Sequence, residues 1–175
     1  VISPIYPTYL TYPAGEKKIH VQVYSLQGVE EALEAGADFI YYDVFASDAR
    51  KACALVHEAR ARGKRVHFYA HTPMVLVDED IDRMMKLIRI IKPDGIVVNN
   101  VGVLGLNLRF NQELNLPLPI ILGYQMNVFN DNQLQFYGYP AIASIELNVK
   151  ELAAFQNKRE LIYYERAGYG QQDEK

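Results

Sequence analysis

The sequence predicts an α/β fold: a parallel (β/α), TIM-barrel-like sheet of about seven strands, with the eighth unit absent or truncated. Three observations carry that expectation. Seven short apolar runs recur between residues 19 and 164, most of them followed by a stretch of helical composition, the alternation that builds a parallel sheet covered on both sides. Seven runs exceed the five or six strands of an average sheet. The length, 175 residues, falls short of the roughly 250 of a complete eight-stranded barrel, which rarely drops below 200.

The elements follow in order. Residues 19–24 are the first strand, and 27–35 a helix stopped by Gly36. The run Phe-Ile-Tyr-Tyr-Asp-Val at 39–44 is the second strand, and Ser47 or Asp48 can cap a long helix to Arg62, ended by Gly63. Residues 65–70 form the third strand. Ile81, Met84, Met85 and Ile88 fall at helical spacing in 78–91, and Pro93 stops that helix. Strand four is 95–99 and a weaker helix is 103–114. Strand five is 120–124, with Gly123 relaxing the packing at its end. A short helix at 131–137, strand six at 141–145, a helix at 149–156 and strand seven at 160–164 complete the series. Ser47, Asp131 and Asn148 are the expected cap residues. Ahead of this domain (19–167), residues 1–18 alternate Pro4, Pro7 and Pro13 with Tyr6, Tyr9 and Tyr12. They read as an extended arm or linker from a preceding domain, because proline at this density forbids a helix. A polar tail occupies 168–175.

Composition narrows the function classes. Half of the residues are apolar, 22% are charged and the net charge is −3, which argues against a nucleic-acid clamp with a basic face. The single cysteine, Cys53, excludes an internal disulfide, a four-cysteine zinc site and a self-contained iron–sulfur cluster. Neither a membrane span of about 20 apolar residues nor a signal peptide is visible, so a cytoplasmic protein is expected. The sequence has no nucleophile elbow, zinc-protease motif, phosphate loop or dinucleotide fingerprint.

In a βα barrel the reactive groups gather where strands end and the βα loops begin. Every run here ends in a polar group: Tyr24 and Ser25, Asp43, His71, Asn99 and Asn100, Gln125 and Asn127, Glu146, then Glu165 and Arg166. That pattern predicts a polar mouth on one face, with helix capping as the plainer use of some members. His67, Tyr69 and His71 share strand parity, yet His67 and His71 stand about 13 Å apart on a strand, too far to share a metal; no metal site is expected. His71 beside Asp43 or Glu146 is a proton-shuttle candidate. His20 and His57 are expected to be structural or solvent-facing, and Cys53, among alanines, a buried packing residue.

Several segments resemble peptidase family U32, the collagenase-like peptidases. They are Gly-Ala-Asp-Phe-Ile-Tyr at 36–41, Ala-Arg-Gly-Lys-Arg-Val at 61–66, Pro-Asp-Gly-Ile-Val-Val-Asn-Asn-Val-Gly-Val-Leu at 93–104 and Glu146-Leu147 with 149–152. The most specific is 118–130, whose Gln125-Met126-Asn127 through Asn130 is similar to the family's Ser-Thr-Gln-Met-Asn-x-x-Asn signature. The resemblance spans about residues 20–165 and implies a βα barrel, in this case a unit of a longer protein. Family members are described as proteases; others act with partners in hydroxylating RNA bases or quinone precursors, some through a cluster held by cysteines beyond strand seven. Three departures bear on activity. Asn100 replaces a common acidic residue, Ile145 replaces an arginine before the glutamate, and residues 164–169 lack the cysteine-bearing segment.

Two functions are therefore expected. In the first, a peptidase, Glu146 and His71 are catalytic while Asp43, Asn99, Asn100, Gln125, Asn127 and Glu165 bind substrate. In the second, the domain is a non-catalytic barrel module of a U32-type RNA or quinone hydroxylation enzyme. Its partners would be a peptide or RNA substrate and other domains of the parent chain, with no membrane association and no cofactor in these residues.

Overall fold

A computed structural model describes residues 18–106, 118–156 and 161–162. In chain order the elements are β1 (His20–Gln22), α1 (Leu26–Glu34), β2 (Phe39–Asp43), α2 (Ala49–Ala61), β3 (His67–His71), α3 (Asp78–Ile91), β4 (Gly95–Val98) and α4 (Val101–Gly105). They continue with β5 (Ile120–Leu122), a 3-10 turn (Tyr124–Met126), α5 (Asp131–Tyr137), β6 (Ala141–Ile142), α6 (Val149–Ala154) and β7 (Leu161–Ile162). The seven strands form one sheet in the order β1-β2-β3-β4-β5-β6-β7, every pair parallel. The sheet is curled with helices between its strands: a TIM-barrel-like half-barrel. Among the described residues β1 and β7 do not pair with each other.

Both faces of the sheet are buried, which is why the strands read as continuous apolar runs. On the convex side Ile40, Tyr42, Phe68, Ile96, Val98, Ile120 and Leu122 pack against the helices. The buried stripe of α2 consists of Ala49, Ala52, Cys53, Val56 and Ala59; such small side chains let a helix lie close to a sheet. On the concave side Phe39, Tyr41, Tyr69, Val97, Ile121 and Ile142 form a second cluster. Register places His20 beside Phe39 and Phe39 beside His67. Their rings stack across the strands, with centroids 4.3 and 5.2 Å apart. Gly95 stands opposite Tyr69, and a Cβ there would come within 2.3 Å of the tyrosine ring, so only glycine admits this ring.

At the amino end of the strands Asp94 ties three elements together. Its carboxylate accepts two bonds from the Arg60 guanidinium on α2 and one, of 2.8 Å, from the Phe68 N–H on β3. Arg60 also donates to the Val66 carbonyl at 3.1 and 2.9 Å.

The elements differ from expectation mainly at their ends. β1 is trimmed to three residues and β6 to two, with Ala143 beyond it bridging to Val128 and donating to the Ile162 carbonyl. β3 extends to His71. α4 begins at Val101 rather than 103, and the remainder of that expected helix, 107–114, lies outside the described residues. So do the arm at 1–17, the tail at 168–175 and most of the seventh run.

Candidate functional site

Local capping chemistry settles several of the strand-end groups. Ser25 accepts from the Gly28 N–H and starts α1. Asn100 accepts from the Gly102 N–H at 2.7 Å to start α4, and its amide NH₂ donates to the Met74 carbonyl at 2.7 Å. Both ends of the Asn100 amide are thus spent on the scaffold. Asn148 caps α6 as expected, with Glu151 closing the reciprocal bond at 2.8 Å. Asp131 does not cap α5. Asn130 does, and the Asp131 carboxylate instead accepts from the Gln156 N–H. Asp48 occupies the N-cap position of α2 without a side-chain cap bond, because its carboxylate receives the Tyr42 hydroxyl.

A connected polar group at the carboxyl end lies on the concave side of β3 and just beyond β4. Asn99 is 2% exposed. Its amide NH₂ donates to the Thr72 carbonyl at 2.8 Å and reaches His71 Nε2 at 2.9 Å. The Asn99 N–H donates to Thr72 Oγ1, which donates to the Val97 carbonyl at 3.1 Å. Because a carbonyl can only accept, the Thr72 contact fixes which end of the Asn99 amide is NH₂. His71 Nε2 must then be an acceptor, so the imidazole is neutral and its proton sits on Nδ1. Its pKa is correspondingly lowered, by burial first, with partial relief from the Asp43 carboxylate that stands opposite it in register. Protonating Nε2 would set it against the Asn99 NH₂, a further cost on the charged form.

Asn99 Oδ1 is buried without a hydrogen-bond partner among the described residues. It rests over Gly123, where a Cβ would lie 1.8 Å away. The glycine therefore creates the space for this amide. Gly123 was read from sequence as a packing relief; Thr72 was missed, and its only signal was standing directly after His71 at the end of the third run.

The remaining candidates line the same end without joining this network. Asp43 is exposed, and one of its oxygens accepts from the Phe45 N–H at 2.8 Å. Gln125 is half-buried in the 3-10 turn, and Asn127 closes that turn in left-handed backbone, φ 52°. Glu146 is exposed, and its carboxylate has no hydrogen-bond or ion-pair partner among the described residues. Among the described residues no hydrogen bond or ion pair joins Gln125, Asn127 or Glu146 to His71, and Glu165 lies outside the described residues. What unites the candidates is the end of the sheet they occupy. Side-chain contact is confined to His71, Asn99 and Thr72, with Asp43 facing His71.

The other histidines serve the scaffold. His20 Nδ1 meets the Tyr41 hydroxyl, and burial lowers its pKa to about 4 against a raising influence of Asp38. His67 stacks on Phe39, while His71 bonds Asn99, so the two engage different partners. Cys53, His57 and Asp94 give a false outline of a nucleophile, base and orienting acid. Sγ lies 3.6 Å from His57 Nε2, but Asp94 approaches that same nitrogen, at 3.8 Å. A functioning triad needs the acid on the opposite nitrogen. Burial pushes the Cys53 thiol up to about 12, and the group sits at the amino end of the strands, where a barrel keeps stability residues.

Among the described residues no group of three or more His, Cys, Asp and Glu side chains is placed to hold a metal ion, and no helix is long and apolar enough to cross a membrane. Neither the protein-family models nor the curated proteins compared with this chain match it. The site has to be read from its own chemistry.

Proposed function

We propose that this domain is a peptidase U32-type barrel unit that binds rather than cleaves: a non-catalytic module of a cytoplasmic U32-type enzyme, of the kind that hydroxylates RNA bases or quinone precursors. Its polar carboxyl end would hold part of a peptide or RNA substrate, or a partner domain. The family assignment rests on the motif residues at 36–41, 93–104 and 118–130. The preference for binding rests on one observation, the 2.9 Å contact between Asn99 and His71 Nε2. It leaves the histidine neutral, with its basic nitrogen occupied, so His71 offers a fixed Nδ1–H donor and not a proton shuttle. Gln125 and Asn127 supply amides without side-chain hydrogen-bond partners among the described residues, and an amide recognises by hydrogen bonding without taking up protons.

A second reading, peptide-bond hydrolysis, is favoured by Glu146, a carboxylate at the mouth with no ion-pair partner among the described residues. There Glu146 would take a proton from the attacking water, and the Gln125 and Asn127 amides would face the developing oxyanion. The test is hydrolysis of gelatin and of fluorogenic peptides by the parent chain, Glu146→Gln and His71→Ala. The binding reading expects no turnover above background in any of the three, together with shifts of the His71 and Asn99 NMR signals when peptide or RNA is added. Turnover that is lost in both variants would establish the peptidase.

A further inference from the structure

The loops after β3, β4, β5 and β6 stand side by side, because these strands are consecutive in the sheet. Their exposed residues are unusual in two independent respects. Ten large apolar residues of the described chain are more than half exposed, and six of them are here: Met74, Val75, Val77, Val101, Ile145 and Val149, with Val75 at 77% and Val149 at 81%. Scattered apolar residues on a surface need no explanation, whereas a contiguous group marks an interaction site. The first two loops are held as one surface by the Asn100 bond to the Met74 carbonyl.

Charge is the second respect. Residues 72–82, 99–104, 124–133 and 143–151 hold seven of the chain's 21 carboxylates but only one of its 18 lysines and arginines, Lys150. Arg83, the nearest further cation in sequence, is turned over the Phe45 ring, 5.0 Å from its centroid. Part of this acidity suits the first turn of α3, where Asp78, Glu79 and Asp80 meet the positive helix end. Seven carboxylates against one lysine still leave these segments with a formal charge of −6.

We propose that this arc of loops is a docking surface for a basic, apolar polypeptide segment of a partner protein. Charge decides among the occupants an apolar patch can have. A second copy, meeting the first through the same patch about a two-fold axis, would bring acid against acid. RNA phosphates and anionic lipid headgroups are disfavoured on these loops for the same reason. A polypeptide with lysine or arginine set among apolar side chains satisfies both features at once. The arc surrounds the His71–Asn99–Thr72 network and shares the loops of Gln125, Asn127 and Glu146 with the reading of the pocket, but it rests on exposed apolar side chains and charge rather than on the His71 contact. Substitutions at Val75, Val149, Asp78 and Glu79 touch no residue of that pocket, so the two fail separately.

The experiment uses the 175-residue chain and fluorescence anisotropy with four probes: a lysine/leucine peptide, its glutamate/leucine counterpart, oligo-uridine and phosphatidylserine vesicles. The lysine/leucine peptide is expected to bind with the highest affinity. Val75→Ser with Val149→Ser, which changes no charge, should weaken that binding about tenfold, as loss of buried contacts at an interface does. Asp78→Lys with Glu79→Lys should weaken it by a similar factor and raise affinity for the glutamate/leucine peptide. Glu30→Lys with Glu34→Lys, on α1 away from these loops, should leave it unchanged; circular dichroism checks that each variant is folded. The proposal is overturned if the two peptides bind equally or neither binds, if the α1 pair weakens binding as much as the loop pairs, if RNA or vesicles bind more tightly, or if sedimentation shows self-association that the valine substitutions abolish.

Discussion

The Asn99 amide shows how much one glycine can decide. Its NH₂ serves two acceptors, its oxygen meets no donor among the described residues, and the arrangement exists only because position 123 has no Cβ. Gly123→Ala would expel the amide, leaving the Thr72 carbonyl and His71 Nε2 buried without their donor. The expected loss is about 2–4 kcal/mol, the range for buried polar groups left unpaired together with a steric clash, read as a lower urea midpoint. The His71 titration, followed by NMR, should rise toward the ordinary imidazole value. An alanine variant as stable as the parent, with His71 unmoved, would refute this account. His71 and Asn99 were visible in the sequence as strand-end polar groups. Their bond was not, because it depends on the β3–β4 register and on a glycine contributed by β5.

For the elements, the Asp94 clamp on α2, β3 and β4 contrasts with the exposed Glu58–Arg62 pair on α2, 3.2 Å apart. Asp94→Ala strands Arg60 and the Phe68 N–H and should cost about 3 kcal/mol. Glu58→Ala removes a solvent-screened pair and should change stability by less than about 0.5 kcal/mol. Chemical denaturation of both variants checks the contrast; equal losses would contradict it. Most strands and helices were legible because apolar runs, glycine stops and Pro93 are local signals. Their ends were less so. Asn130 and Asp131 are equally good caps by residue type, and the choice fell to Asn130 while Asp131 was engaged by the distant Gln156 N–H. Beyond the two residues of β6, Ala143 donates to the Ile162 carbonyl of β7 and also bridges to Val128, a contact from a loop that no local window reports.

Over the whole molecule, the concave side of the sheet holds three imidazoles, His20, His67 and His71, all with pKa lowered chiefly by burial. A group whose folded pKa is depressed leaves the unfolded chain to take up protons first, so stability falls as pH drops below the ordinary value of 6.5. The fall from His20 should extend down to about pH 4, where this one group has cost roughly 3 kcal/mol. Urea unfolding from pH 8 to pH 4 should give a plateau above pH 7 and a decline beneath it. His20→Phe, which keeps a ring on Phe39, should flatten part of the decline. A parent profile level between pH 7 and pH 4.5 would contradict the assignment. Sequence parity placed His67, Tyr69 and His71 together, but their burial depends on the sheet curling, which no local window reports.

That sheet adds its strands in the order in which they are translated, each one zipping onto its immediate predecessor. A nascent chain emerging from the ribosome would then always have a ready-made template for the next βα unit and would never wait for a distant partner. Such vectorial growth keeps each loop closure short, which limits the entropy lost before a strand pair forms. It also leaves a single growing edge, where a stalled chain would be most prone to capture by another.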